Sequence, residues 1–347
     1  MKVLFPLLQV LLTSLVLSTI GSAAADDGDC SPAEGTCRVY NILGKPEEYT
    51  ESTVPGVKLA VRRWTPDDVK SVVLFAHGGT YGAGFHSGYS DIMGKSFQEA
   101  GIAVISYDVA GSGYSDGLKD KNGNTLRNYF DSMDTLTNDF TKVLNDVRSQ
   151  YPTKKVFAVG ESFGCKILLA QIMKEQEQSK GSLADGYVFS GPVVQLLPEM
   201  LPPKPVIAVM SFIAKFFPML TMPGTDFFST FDLAFGDKAW AQTGRHDPFV
   251  IEAASIPPKL GMIISVLNSL KKLNDSLETI GVPFKIFVGE NEGRVDVDAI
   301  KRLAKVAKST DKDIEIVPGA YHQLFQDLPE VTQLVCRHIQ EWILARS

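Results

Sequence analysis

Apolar and polar positions along this chain follow two different periods, and the switches between them mark out its elements. Val57, Leu59 and Val61 alternate with Lys58, Ala60 and Arg62, which predicts an early strand running to Trp64. Ser71 to Ala76 and Ile102 to Tyr107 are short continuous apolar runs, the pattern of strands covered on both faces. Phe130, Met133, Leu136, Phe140, Val143 and Val147 then recur at helical spacing. A strand over Val156 to Val159, a helix through Lys166, Leu168, Leu169, Ile172 and Met173, and a strand over Tyr187 to Phe189 follow. Alternation of this kind predicts an α/β fold on a largely parallel sheet.

From Pro192 to Val282 the alternation stops, and the chain becomes rich in Pro, Phe, Met and Leu with helical stretches. So long a strandless interval inside one sheet predicts an inserted helical cap rather than a loop. Strands resume at Phe284 to Val288 and Ile314 to Val317, and an amphipathic helix carrying Val331, Leu334, Val335, Ile339, Trp342 and Ile343 closes the chain. The expected organisation is a leader over 1–25, a first core part over 26–191, a cap over 192–282 and a second core part over 283–347.

The leader is expected from Lys2, the apolar run Val3 to Ile20 and the small residues Ala23 to Ala25, a secretory-signal pattern. Its apolar run is near the length of a spanning helix, so an uncleaved anchor is the alternative. Cys30 and Cys37 are spaced to close a small loop in an oxidising compartment, whereas Cys165 and Cys336 fall in apolar helical patterns as buried thiols. Asn274-Asp275-Ser276 is a glycosylation sequon. A formal net charge of −6 and 21% charged residues give no electrostatic footprint for nucleic acid.

The chemistry begins with a pattern that occurs twice. Gly-x-Ser-x-Gly presents a serine for attack only when a strand enters it and a helix leaves it. Gly113-Tyr114-Ser115-Asp116-Gly117 follows a polar turn and runs into Leu118-Lys119-Asp120-Lys121, so it is read as a loop. Gly160-Glu161-Ser162-Phe163-Gly164 has both the strand and the helix, which makes Ser162 the candidate nucleophile. Backbone N–H groups that would stabilise an oxyanion are then expected from Phe163 and from Gly79 in His77-Gly78-Gly79-Thr80. Asp108 to Gly113 is glycine-rich but opens no helix, so it is not a dinucleotide loop.

Among His77, His86, His246, His322 and His338, His322 follows a late strand in Pro318-Gly319-Ala320-Tyr321, the place for the base in the order Ser, acid, His. His77 is expected to brace the oxyanion loop. The acid should follow the strand ending near Val288, where Glu290, Glu292, Asp296 and Asp298 are candidates.

With these residues assembled, the chain resembles the monoacylglycerol lipase and lysophospholipase-like family of α/β-hydrolases. The resemblance is carried by His77-Gly78-Gly79, Tyr107 to Gly117, Gly160 to Gly164, Gly319-Ala320-Tyr321-His322 and Leu328-Pro329-Glu330. It implies an eight-stranded, mostly parallel sheet with a helical cap, no cofactor or metal, and hydrolysis of a single-chain acyl ester such as a monoacylglycerol or lysophospholipid. The family's roles fall on Ser162, His322, Gly79 and Phe163. Two departures stand out. Cys165 replaces a common second glycine, and Glu292 occupies the place of the usual aspartate in a Gly-x-x-Asp turn, with Asp296 next in line.

The stretch Pro202 to Pro223 carries Val206, Ile207, Met210, Ile213, Phe216, Phe217, Met219 and Leu220 on more than one helical face. Packing beneath a cap accounts for such a surplus, and so does contact with an acyl chain or a membrane surface. Rival readings are another reaction on the same scaffold, such as aminopeptidase or acyltransferase chemistry, and a catalytically silent protein that binds a hydrophobic ligand.

Overall fold

The computed structural model describes residues 44–79, 89–179, 181–223 and 227–347, together with Ser31, Gly35, Cys37 and Arg38. The leader, Cys30, Thr80 and His86 lie outside the described residues. Its strands are β1 (Glu48–Glu51), β2 (Lys58–Trp64), β3 (Ser71–Ala76), β4 (Ile102–Tyr107), β5 (Lys155–Glu161), β6 (Gly186–Ser190), β7 (Phe284–Gly289) and β8 (Lys312–Val317). They form one eight-stranded sheet in the order β1-β2-β4-β3-β5-β6-β7-β8. Only the β1–β2 and β2–β4 pairings are antiparallel.

The inner strands read as continuous apolar runs because both their faces are covered. Every residue of β3 and β4 is buried. Side chains alternate across the sheet, so Val72, Leu74 and Ala76 join one apolar cluster while Val73 and Phe75 join another. The first cluster is closed by α2 (Met133–Gln150) and α3 (Phe163–Glu177), and the second by α1 (Tyr89–Glu99) and α9 (Pro329–Leu344).

α2 starts where its cap allows. Ser132 has extended backbone angles and accepts the Thr135 N–H at 3.2 Å, which satisfies one of the helix's orphan donors. Phe130, expected in this helix from its spacing, therefore lies before it. Its ring packs 6.0 Å from that of Phe163.

From β3 the chain moves outward to β4, then returns to the other side of β3 to form β5. Such a reversal opens a crevice at the carboxyl ends of the two strands. The register that pairs Ala76 with Gly160 sets the loop after β3 beside the turn after β5.

Between β6 and β7 run α4 (Lys204–Ala214), a 3-10 stretch (Phe227–Ala234), α5 (Lys238–Arg245), α6 (Pro248–Ser255) and α7 (Leu260–Asn274). α7 anchors this segment by burying Leu260, Met262, Ile264, Leu270 and Leu273, whereas α4 buries Met210 alone. Among the described residues, no helix is long and apolar enough to cross a membrane. Cys37 is disulfide-bonded, while Cys165 and Cys336 are buried free thiols. The Asn274 amide nitrogen points at Val194 O, Gln195 Oε1 and Leu270 O within 3.0 Å, so the atom that would carry a glycan is already engaged.

Candidate active site

β5 enters the second Gly-x-Ser-x-Gly turn and α3 leaves it. Ser162 sits between them at φ +50° and ψ −114°, a conformation that costs a non-glycine residue about 1–3 kcal/mol. The turn is held by its surroundings: the Ser162 N–H donates to Ser190 O at 2.8 Å, and Ser162 O accepts from the Cys165 N–H at 3.1 Å. Glycine is obligatory at 164, where a Cβ would stand 2.0 Å from the Ala76 carbonyl oxygen. β3 and the first turn of α3 thus touch backbone to backbone. The Ser162 hydroxyl makes no capping bond to its own helix.

That hydroxyl instead meets His322, whose Nε2 lies 2.8 Å from Oγ. His322 Nδ1 lies 2.7 Å from Glu292 Oε2. The Glu292 side chain is fully buried and that of His322 is 5% exposed, so the contact between them is shielded from solvent. Burial pushes the Glu292 carboxyl up, but the imidazole charge, its hydrogen bond, and the N–H groups of Arg294 and Val295 together hold it below the usual carboxylate value. Those two N–H groups reach Oε1 at 2.6 and 3.3 Å. An ionised Glu292 keeps the proton on Nδ1, which leaves the Nε2 lone pair facing the serine.

The other acids of this region are occupied elsewhere. Asp296 caps α8 (Val297–Val306) by accepting the Ala299 N–H at 3.0 Å, and Asp298 lies in the first turn of that helix. Glu290 accepts the Gly319 N–H at 2.8 Å. Of the four candidates, Glu292 is the one brought to His322.

Two further residues shape the surroundings of His322, one beside its ring and one in its loop. Gly191, at φ +53°, lies beside the ring, where a Cβ would stand 3.0 Å from Nδ1. Its signal was the Ser190-Gly191-Pro192 turn at the end of β6. The buried Asp327 accepts the N–H groups of Tyr321 and Leu328 at 2.9 and 2.7 Å, bracketing the loop that carries His322. An aspartate directly before Leu328-Pro329 was its signal.

Just past the end of β3, Gly78 comes so near that a Cβ there would stand 3.3 Å from the Ser162 Cβ. Gly79 follows at φ +78° with open space around it. His77 holds this loop in place. Its Nε2 accepts the Val109 N–H at 3.1 Å, so Nδ1 carries the proton and donates to Gly78 O at 2.8 Å. With both nitrogens bound to backbone, His77 is a brace. Phe163 opens α3, where the first N–H groups have no acceptor within the helix and favour negative charge.

The first Gly-x-Ser-x-Gly stretch is built differently. Ser115 is buried, and its Oγ accepts the Ala60 N–H at 2.8 Å while donating to Asp108 O. Arg127 ties the Gly113 and Ser115 carbonyls together at 2.6 and 2.9 Å. Among the remaining histidines, His246 bonds to Gln242 O and His338 to Glu315. Cys165 fills the space behind the elbow, with Sγ 3.4 Å from Ser190 O.

Known proteins match along most of this chain. Human monoglyceride lipase is 26% identical over 84% of this chain and 88% of its own length. Caffeoylshikimate esterase of Arabidopsis thaliana is 26% identical over 88% of this chain and 87% of its own. The fold is shared with a soluble variant of monoglyceride lipase from Saccharomyces cerevisiae, solved in complex with a substrate analogue, at a TM-score of 0.67 and 20% identity over 89% of this chain and 97% of that one. Residues 67–329, from the turn before β3 to the start of α9, match the family described as serine aminopeptidase, S33. That span holds the sheet from β3 to β8, the elbow and the Ser162–His322–Glu292 contacts, and this α/β-hydrolase chain belongs to the serine aminopeptidase S33 family.

Proposed function

We propose that the chain hydrolyses the carboxylic ester of a single-chain acyl lipid, a monoacylglycerol before a lysophospholipid. Ser162 Oγ attacks the carbonyl carbon as His322 Nε2 takes its proton, and Glu292 steadies the imidazolium that results. The Phe163 and Gly79 N–H groups receive the oxyanion. His322 then protonates the departing alcohol, and water activated by the same imidazole cleaves the acyl-enzyme. The observation that carries this reading is the unbroken contact from Ser162 Oγ through His322 to Glu292, at 2.8 and 2.7 Å.

The choice of a lipid rests on the segment between β6 and β7, read as a cap over the site. Val209, Phe212, Phe216, Phe217 and Met219 are exposed on α4 and the turns after it, an apolar surface suited to an acyl chain or to the edge of a membrane. The named lipase relative supports the same class. The Met1 to Ala25 pattern and the Cys37 disulfide support residence in the secretory pathway, with the leader removed or kept as an anchor.

The family description favours a second reading, release of an N-terminal amino acid. A panel of monoacylglycerols, lysophosphatidylcholine and aminoacyl p-nitroanilides separates the two. Fatty acid release from monoacylglycerol should exceed p-nitroaniline release by at least about a hundredfold in kcat/KM. Faster p-nitroaniline release would replace the lipid reading with the peptidase one.

A further inference from the structure

Arg38, which precedes the sheet in the chain, packs against α5. Its N–H donates to the Thr243 hydroxyl at 2.8 Å, and its Nε donates to Asp237 Oδ2 at 2.6 Å. Asp237 is the N-cap of α5, accepting the Ala239 N–H at 2.9 Å with its other oxygen. Asp237 and Thr243 are 5% and 3% exposed, so the guanidinium answers a carboxylate that has little water around it. Cys37, the preceding residue, is itself buried and disulfide-bonded, which restricts the freedom of this arm.

The start of α5 is also the surface against which the His322 loop rests. The Gln323 N–H, one residue past His322, donates to Ala234 O at 2.8 Å. At Gly236 a Cβ would stand 2.2 Å from Asp327 Oδ1 and 3.0 Å from the Tyr321 ring. Lys238 lies over that same ring, 5.8 Å from its centroid. Asp327 in turn fixes the Tyr321 N–H. Residues 234–238 are therefore clasped by Arg38 on one side and touch the base-bearing loop on the other.

We infer that Arg38 is a positioning residue: by holding the N-terminus of α5 it fixes the loop that presents His322 to Ser162, and the Cys37 disulfide keeps Arg38 in reach. The inference rests on His322 being the base. A small displacement of a reacting group costs rate more than affinity, so loss of Arg38 should appear in kcat.

The test compares Arg38→Ala, Arg38→Lys and Cys37→Ser in the whole protein, and wild type with and without dithiothreitol. Cys165 and Cys336 are already free thiols and offer that reductant no bond. Turnover of a short p-nitrophenyl ester is measured together with hydrogen exchange across residues 320–327. Arg38→Ala, Cys37→Ser and the reduced protein should each lose about tenfold in kcat with KM changed less than about twofold, and exchange at 320–327 should accelerate. Arg38→Lys should recover kcat to within about threefold of wild type, because a cation still faces Asp237. Wild-type kcat or wild-type exchange in Arg38→Ala would overturn the inference, as would a loss that lysine does not repair. Should wild type turn over no ester, the exchange arm still decides whether Arg38 orders the loop, and that failure belongs to the hydrolase reading alone.

Discussion

Gly113 to Gly117 and Gly160 to Gly164 carry one sequence pattern and do different things. Ser162 is lifted at φ +50° between a buried strand and a helix, and its hydroxyl is left for His322. Ser115 is folded inward, and its hydroxyl is consumed by the backbone of β2 and Asp108. The glycines do not distinguish the two turns, since a Cβ at Gly117 or at Gly164 would stand 2.0 Å from a backbone carbonyl oxygen. Even the lysines four residues past each serine diverge: Lys119 is exposed, whereas Lys166 is fully buried. A tight turn needs small residues whatever its purpose, and only the elements entering and leaving it decide whether a hydroxyl is presented. The first turn serves as a seat for α6, where Tyr114 meets Phe249 edge-on at 5.0 Å and Arg127 pairs with Glu252 at 3.2 Å.

Removing the hydroxyl of each serine should separate the two turns most sharply. Ser162→Ala should lower kcat by about a millionfold without unfolding the protein, as for the nucleophile of other serine hydrolases. Ester assays and a thermal melt read both properties. Next in size, Glu292→Ala should lower kcat by about 10²–10⁴-fold, because the imidazole loses its tautomer and its countercharge. Asp296→Ala should instead cost only the helix cap, about 1 kcal/mol of stability, with kcat near wild type. Equal losses in the two variants would leave the acid unassigned.

Ser115→Ala should reverse the pattern of Ser162→Ala. It leaves the Ala60 N–H without its acceptor, which costs about 1–3 kcal/mol of stability, while turnover stays within a few-fold of wild type. Denaturant melts and ester assays on the same sample make that check.

The two lysines add a pH dependence to the contrast. Lys166 Nζ donates to Ser269 O at 3.0 Å, and burial, reinforced by the charge of Lys272, lowers its pKa to about 7. Unfolded, the same amine titrates near 10.5. Between those values the unfolded chain binds the extra proton, so this residue makes stability rise with pH from about 7 to 10.5, at up to about 1.4 kcal/mol per pH unit. Below that window both states are protonated and the penalty is constant. Lys166→Met should raise the melting temperature most at pH 7 and below, with the gain shrinking toward pH 10.5. At exposed Lys119 the same substitution should change stability by no more than about 0.5 kcal/mol.

Much of this was legible along the chain because local signals and tertiary demands agree there. The continuous apolar runs of β3 and β4 belong to strands covered on both faces, and the sheet they build is the one expected. Ser162 could be told from Ser115 by the strand before it and the helix after it. Local pattern failed where contacts come from far away. Phe130 keeps helical spacing but packs against Phe163 ahead of its helix, because Ser132 makes the cap. β1 is four residues without a strong apolar signal and exists through its pairing with β2. Glu290, Glu292, Asp296 and Asp298 are chemically near-equivalent, and the family resemblance put Glu292 first by its place in the Gly-x-x-acid turn; the turn after β7 sets it against the imidazole, while Asp296 caps α8. Arg38 gave no local sign of Asp237 and Thr243, which lie far along the chain, and the turn at Gly191 did not point to His322.

The two look-alike serines should differ in chemical competence. A fluorophosphonate probe followed by peptide mapping reads that difference, since the probe bonds only to a hydroxyl whose proton a base can take. A single phosphonyl adduct is expected on the peptide containing Ser162 and none on the peptide containing Ser115. An unmodified Ser162 after exhaustive treatment, or an adduct on Ser115, would contradict it.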